Sequence, residues 1–269
     1  YSSQAAFTYG STLADGTTVL GSRPSWTQAR LVSISADFAK TVSGTPYWMV
    51  YEAEGENAIG AAYSAGQQGP YTDAGQLLSA AEVGATTLTQ PSISVFGVRT
   101  YLLYSTEKGS FVQELTLKKS TLPKLKGTPV QVAGPEFKDV TLTRTDNSNY
   151  YLVGTVKNGE RTEIRYAHGE KAVGPFSDKN GNAITSSGTG ELLVQGNDSN
   201  INPENFSRMF ENADGIWFIA YNATTVGKET MQSGYARRPL FITPLTMGND
   251  GWFESVASPT TGWTTPKFK

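Results

Sequence analysis

The feature that most constrains the fold of this chain is a repeat of short, aromatic-rich segments. Four of them recur at intervals of about 50 to 65 residues: Tyr47-Trp-Met-Val-Tyr, Tyr101-Leu-Leu-Tyr, Tyr150-Tyr-Leu-Val-Gly and Ile216-Trp-Phe-Ile-Ala-Tyr. Each follows a turn-rich stretch and precedes a second strand-like segment after another polar turn. Meanders that repeat in this way are typical of propeller blades. The repeat therefore predicts an all-β propeller, with a generic β-sandwich as the alternative.

Two of the repeat units also share a turn. Gly69-Pro-Tyr-Thr-Asp and Gly174-Pro-Phe-Ser-Asp follow the second strand of their units at equivalent places. Glycine and proline in a fixed order specify turn geometry, so the two segments are expected to form the same outer turn. No long helix is predicted, and Leu77 to Val83 is expected to form a short helical turn.

Composition excludes several classes of function. The net charge is −2, which argues against a nucleic-acid partner, because phosphate binding needs a basic surface. The chain has no cysteine and one histidine, His168, so no disulfide framework and no site with two imidazoles can form. No cofactor is expected, and His168 is expected to be a surface or packing residue.

Several sequence signals bear on the cellular location. No apolar run approaches the roughly 20 residues of a membrane span. The chain opens with Tyr1 rather than methionine and shows no signal peptide, which suggests a mature or trimmed form. Glycosylation-type sequons occur at Asn197-Asp-Ser, Asn205-Phe-Ser and Asn222-Ala-Thr. A secreted protein is therefore expected.

Several motifs resemble glycoside hydrolase family 43, whose members are five-bladed propellers. They occur in the family's order: Ile59-Gly-Ala-Ala-Tyr-Ser with Gly69-Pro-Tyr-Thr-Asp-Ala-Gly, Gln90-Pro-Ser-Ile-Ser-Val-Phe-Gly, Ala133-Gly-Pro-Glu-Phe, Arg238-Pro-Leu-Phe-Ile-Thr-Pro-Leu and Asp250-Gly-Trp. The resemblance covers roughly residues 20 to 255. It implies an all-β, five-bladed β-propeller and a ligand that is a poly- or oligosaccharide.

The resemblance also implies where one blade ends and the next begins. The whole chain would be one propeller domain with an incomplete first blade at residues 1–24. The other blades would span residues 25–85, 86–132, 133–195 and 196–255, with a tail at 256–269. An incomplete blade leaves a bare strand edge, so a protein partner at that edge is kept as an alternative.

The family's catalytic carboxyl groups are poorly matched. Its base lies on an inner strand of the first blade that this chain does not contain, and Asp15 lies in a turn-like sequence. The aspartate before a proline in the third blade corresponds to Gln90, and the glutamate before Gly-Pro in the fourth corresponds to Ala133. Neither side chain can act as a general acid. Glu136 is the fallback acid, although strand alternation is expected to point it elsewhere.

The resemblance supplies the remaining candidates for substrate binding. Asn205 replaces a histidine of the fifth blade, and Arg238 is the arginine that the family places near its substrate pocket. Trp26 matches a tryptophan at the start of the second blade, where it could stack on a sugar or pack in the core. Together with Gln90 and Ala133, these residues form the predicted binding set.

Three functions are consistent with these residues. A retained scaffold without its acid and base favours non-catalytic glycan binding. The first alternative is an active glycoside hydrolase on arabinose- or xylose-containing polysaccharide. The second is a structural or assembly protein that uses the propeller as an interaction scaffold.

Overall fold

The computed structural model describes residues 19–146, 148–159, 161–196, 202–212, 214–224, 227–232, 234 and 236–256. These residues form antiparallel meanders in two compact units, one up to Pro135 and one from Glu136 onward. Among them, no helix has both the length and the apolar composition that a membrane span requires. The all-β prediction is confirmed.

The unit up to Pro135 contains two four-stranded sheets. The first sheet comprises β1 (Leu31–Phe38), β2 (Tyr47–Ala53), β3 (Ala58–Ser64) and β4 (Thr72–Ser79), and the second comprises β5 (Thr89–Phe96), β6 (Arg99–Thr106), β7 (Gly109–Thr116) and β8 (Lys124–Ala133). A 3₁₀ turn at Ala80–Val83 links the sheets, within the segment predicted to be helical.

The unit from Glu136 onward repeats this plan. The third sheet comprises β9 (Phe137–Arg144), β10 (Tyr150–Asn158), β11 (Arg161–Gly169) and β12 (Glu191–Gln195), and the fourth comprises β13 (Asn202–Glu211), β14 (Trp217–Thr224) and β15 (Leu240–Leu245). The sequence predicts five blades, whereas the described residues form four sheets. Most of the predicted first blade, residues 1–18, lies outside the described part of the chain.

The aromatic-rich segments are the second strands of the four sheets, and they are buried on both faces. In β2, Trp48 and Val50 pack in one apolar cluster, while Met49 and Tyr51 pack in another. A strand buried on both faces reads as a continuous apolar run rather than an alternating one. This burial explains why these segments stand out in the sequence.

The two predicted Gly-Pro turns have the same conformation. Gly69-Pro70 and Gly174-Pro175 are both cis, and both glycines have positive φ. The aromatic residue that follows each turn is buried, with Tyr71 at 2% and Phe176 at 0% exposure. The prediction that these segments form equivalent turns is confirmed.

Side chains of β1 join the first sheet to the second. Ser35 Oγ accepts a hydrogen bond from the backbone N–H of Ile93 (3.1 Å), and Asp37 Oδ2 accepts one from Val95 (2.9 Å). The partners are two residues apart on each strand, as expected when alternate side chains share a face. Two first strands are thus linked without a backbone ladder between them.

In the unit from Glu136 onward, side chains of one first strand again bond the backbone of the next. Here the side chains donate rather than accept. Thr141 Oγ1 donates to the carbonyl of Ser207 (2.7 Å), and Thr143 Oγ1 donates to the carbonyl of Met209 (3.1 Å). Both threonines are 7% exposed. Because buried backbone polar groups need partners, these bonds satisfy carbonyls that the sheets leave available.

Thr141→Val is expected to lower the free energy of unfolding by about 1–2 kcal/mol, because valine keeps the shape and strand preference but leaves a buried carbonyl without its donor. Urea unfolding of the whole chain measures the change. Thr116→Val, at the exposed end of β7, is the matched control and should change stability by less than about 0.5 kcal/mol. Equal values for the two variants would contradict a stabilising role for the Thr141 bond.

Candidate functional site

The first strand of each of the four sheets contains a β-bulge at the same place relative to the second strand. Ladder pairing skips two residues in each first strand, and the first residue of each skipped pair is named here the bulge residue. The four bulge residues are Ser33, Gln90, Asp139 and Asn205. Bulges re-aim side chains and are over-represented beside active sites, so this recurrent position is the best candidate for function.

Three bulge residues adopt a backbone conformation that is uncommon outside glycine. The φ angles of Ser33, Gln90 and Asp139 are +50°, +55° and +52°. Such conformations carry strain and persist where the surrounding structure enforces them, often at functional sites. The three residues are polar, and two of them were singled out by neither the repeat nor the family motifs.

The second strand of every sheet places a buried polar residue next to its bulge. These residues are at most 8% exposed and occupy one aligned position: Glu52, Ser105, Thr155 and Asn222. Polar groups are rarely buried without partners, and two of these four make hydrogen bonds with bulge residues. A buried polar residue thus recurs beside each bulge, and two of the four bond a bulge residue in different ways.

In the unit up to Pro135, the pair crosses from the first sheet to the second. Glu52 Oε2 accepts a hydrogen bond from the backbone N–H of Gln90 at 2.8 Å. Gln90 itself is half-buried. An amide side chain can both donate and accept, so Gln90 has the chemistry to bind a sugar hydroxyl but not to transfer a proton.

In the unit from Glu136 onward, the pair lies within the third sheet. Thr155 Oγ1 donates to Asp139 Oδ2 at 2.8 Å. Asp139 is half-buried and is a carboxylate at the position aligned with Gln90. The sequence did not indicate Asp139, because the Gly-Pro motif lies beside Ala133, six residues upstream.

Ala133 is not one of the four bulge residues, although the pairing of β7 with β8 is irregular beside it. It ends β8, pairs with Ser110 and is fully buried, so its methyl group presents no surface to a ligand. Glu136, the fallback acid, is exposed in the turn before β9. The correspondence of Ala133 to the family's acid position stays a prediction, and in the register of the sheets the residue aligned with Gln90 is Asp139.

Trp26 lies half-buried against Tyr51. The two rings are stacked with centroids 6.1 Å apart, and Trp26 Nε1 donates to the Tyr51 hydroxyl at 3.3 Å. That hydroxyl donates in turn to Asp73 Oδ1 at 2.5 Å. Burial, followed by the bond to Asp73, raises the pKa of Tyr51. Gly60 leaves room for this ring, since a Cβ at that position would lie 2.2 Å from it.

The remaining candidates are spread over the fourth sheet and its neighbourhood. Asn205 is the bulge residue of β13, and its side chain lies outside the described part of the chain. Arg238 is half-buried in the segment before β15. His168 is hydrogen-bonded through Nε2 to Asn149 Oδ1 (2.8 Å) and packs on Trp252, while burial lowers its pKa. These contacts agree with a packing role for His168.

The described residues contain no cluster of three or more acidic, histidine or cysteine side chains that could hold a metal ion. The candidate groups in each unit are therefore hydrogen-bonding groups. In the unit up to Pro135 they are the neutral Ser33 and Gln90 and the carboxylate of Glu52. In the unit from Glu136 onward the candidate group is the carboxylate of Asp139.

Comparison with known proteins yields one family and many structures. The model of glycosyl hydrolases family 43 matches residues 12–253. The α-L-arabinanase of Cellvibrio cellulosa, complexed with arabinohexaose, is similar with a TM-score of 0.70 and 17% identity, over 88% of this chain and 82% of that chain. No curated protein sequence matches the chain.

Two Bacillus subtilis structures are also similar. Its native arabinanase has a TM-score of 0.65 and 21% identity, over 83% of this chain and 76% of that chain. A family 43 arabinoxylan arabinofuranohydrolase in complex with cellotetraose has a TM-score of 0.65 and 20% identity, over 86% of this chain and 50% of that chain. At these identities the likeness is one of fold, an all-β propeller.

Tyr51→Phe is expected to lower the free energy of unfolding by about 1–3 kcal/mol, because Trp26 and Asp73 both lose a buried partner. The matched control is Tyr104→Phe at the aligned position of β6, where the buried hydroxyl has no hydrogen-bond partner among the described residues. Removing that hydroxyl should leave stability unchanged or increase it. Denaturant unfolding of both variants measures the difference, and an equal loss in both would refute the proposed importance of the Trp26–Tyr51–Asp73 chain.

Proposed function

The chain belongs to glycoside hydrolase family 43, and we propose that it binds a poly- or oligosaccharide without hydrolysing it. The observation that carries this proposal is the identity of the four bulge residues. Three of them, Ser33, Gln90 and Asn205, are neutral, and only Asp139 is a carboxylate. Glycoside hydrolysis usually needs two carboxyl groups, one as acid and one as base or nucleophile. Neutral polar residues can still bind sugar hydroxyls.

Arabinose- or xylose-containing glycans are the proposed ligand class. Two of the similar structures are arabinanases, one of them holding arabinohexaose, and a third is an arabinoxylan arabinofuranohydrolase. Gln90 in the unit up to Pro135 carries an amide and Arg238 in the unit from Glu136 onward carries a guanidinium group, and each group can bind sugar hydroxyls. Asn205 is proposed with them on its residue type. Trp26 is proposed to stack on a sugar ring, since it is only half-buried against Tyr51.

A secreted location is proposed because such polysaccharides are encountered outside the cell. The glycosylation-type sequons give a secreted location less support in the structure than they do in the sequence. Asn222 is 8% exposed within β14, so a glycan could not be accommodated there in the folded chain. Asn197 lies outside the described residues, as does the side chain of Asn205.

A fifth blade and a protein partner at an incomplete first blade also stand as proposals. The blade boundaries suggested by the sequence begin with residues 1–24, of which only 19–24 are described. Self-association of the chain would favour the assembly function, in which a strand edge accepts a strand from a partner.

The binding proposal predicts saturable binding of arabinohexaose or xylohexaose in isothermal titration calorimetry. Gln90→Asn keeps an amide and a residue that tolerates positive φ, but it shortens the reach. Affinity is expected to fall about threefold to tenfold, the value of one hydrogen bond. Gln28→Asn, at an exposed position, is the matched control and should bind like the wild type.

Binding of neither pentose oligosaccharide would contradict the proposed ligand class, and cellotetraose would then test a hexose glycan. If no oligosaccharide binds and light scattering shows a defined oligomer, the assembly function replaces glycan binding. Equal weakening by Gln90→Asn and Gln28→Asn would remove Gln90 from the site.

Asp139 specifically favours hydrolysis as the second candidate function, because it is a half-buried carboxylate at a bulge. Because Asp139 is the only carboxylate among the four bulge residues, release of 4-nitrophenol from aryl arabinofuranoside and xyloside is expected to stay at the buffer blank. Release above the blank that Asp139→Asn lowers about 10²–10⁴-fold would establish hydrolysis instead. Glu136→Gln is tested in parallel. A loss of 4-nitrophenol release in this variant alone would identify Glu136, the exposed fallback residue, as the catalytic acid.

A further inference from the structure

Glu52 is a buried carboxylate of which only one oxygen is hydrogen-bonded in the described part of the chain. It lies on β2 with 8% of its surface exposed. Among the described residues, the backbone N–H of Gln90 is the only donor to this carboxylate, and it bonds Oε2 at 2.8 Å. A carboxylate offers about four acceptor sites on two oxygens, so Oε1 retains its full capacity.

Burial makes this arrangement costly unless a further partner is present. Charged groups in protein interiors are almost always paired or bonded to several donors. No lysine, arginine or histidine forms an ion pair with Glu52 in the described part of the chain. The described residues therefore give Glu52 one hydrogen bond and no ion pair.

The aligned residues of two other sheets show that the bulge does not require a charge beside it. Ser105 is hydrogen-bonded to Ser110 (3.0 Å), and Thr155 bonds Asp139 within its own sheet. Both are neutral hydroxyl residues that are satisfied locally. A hydroxyl or an amide oxygen at position 52 could equally accept the hydrogen bond of Gln90. The negative charge of Glu52 is thus not needed to hold the bulge.

We infer that Glu52 is a ligand-binding residue whose Oε1 accepts a hydrogen bond from a hydroxyl group of the bound sugar. Gln90 fixes the other oxygen and so orients the carboxylate. The pair places an anionic acceptor beside the bulge of the second sheet, next to a neutral Gln90 side chain. This inference rests on the proposed glycan-binding function and assigns a residue to it.

A sugar hydroxyl fits this acceptor better than a metal ion does. Calcium takes six to eight oxygen ligands, commonly from several carboxylates, and the described residues contain no such cluster. A single carboxylate oxygen needs only one donor, which a hydroxyl supplies. Hydrogen bonds to charged acceptors are roughly twice as strong as neutral ones, which suits discrimination of a polyol.

Glu52→Gln separates ligand binding from support of the bulge. Glutamine retains a carbonyl oxygen for the N–H of Gln90, which turns its NH₂ group toward the position of the sugar hydroxyl. Titration of the full chain with arabinohexaose and xylohexaose should show affinity reduced about tenfold, while thermal stability stays near that of the wild type. Glu54→Gln is the matched control. Its carboxylate is exposed and pairs with Arg30, so affinity should not change.

The outcomes distinguish this inference from the function on which it rests. If the wild type binds and Glu52→Gln binds equally well, Glu52 only supports the bulge and the inference is wrong. A loss of stability in Glu52→Ala with unchanged affinity would likewise limit Glu52 to supporting the bulge. If the wild type binds neither oligosaccharide, the proposed function fails first and the inference fails with it. Equal weakening by Glu52→Gln and Glu54→Gln would indicate a nonspecific charge effect and also overturn it.

Discussion

The structure of each unit depends on hydrogen bonds that side chains of one first strand make to the backbone of the next. Ser35 and Asp37 accept from backbone N–H groups, and Thr141 and Thr143 donate to backbone carbonyls. A first strand pairs with only one neighbour in its own sheet, so its other edge would carry unpaired polar groups. The side-chain bonds satisfy part of that edge without merging the sheets. They also align the adjacent strands, because the bonds occur at positions two residues apart.

The bulges follow from the same constraint. A first strand must pair with its own second strand and also present side chains to the adjacent first strand. An extra residue in the first strand shifts side-chain direction by one step and increases the local twist. It leaves Gln90 and Asp139 with positive φ, where a partner is needed to hold them. Glu52 and Thr155 provide those partners from aligned positions, which explains why buried polar residues interrupt otherwise apolar second strands.

Sequence alone could predict the apolar part of this design but not the bulges. The second strands were visible because Trp48 and Tyr51 face different apolar clusters, which makes the run continuous. The Gly-Pro turns were visible because their residues specify the turn. A bulge, by contrast, is a difference in length between two paired strands, and it becomes apparent only when the register is known. For this reason the Gly-Pro motif pointed to Ala133, while the register of β9 with β10 points to Asp139.

The placement of charge gives the site its chemical character. Gln90 is neutral where the family resemblance implies an aspartate, yet a carboxylate lies 2.8 Å from its backbone nitrogen on the neighbouring second strand. A carboxylate anchored through one oxygen is held in place as an acceptor, which suits the binding of a hydroxyl group. Proton transfer requires something different, because a catalytic carboxyl group must gain and lose its proton while the neighbouring groups keep their positions. Glu52 also holds the bulge through its anchored oxygen, which accepts the hydrogen bond that positions Gln90. The arrangement therefore suits the binding function that we propose for this chain.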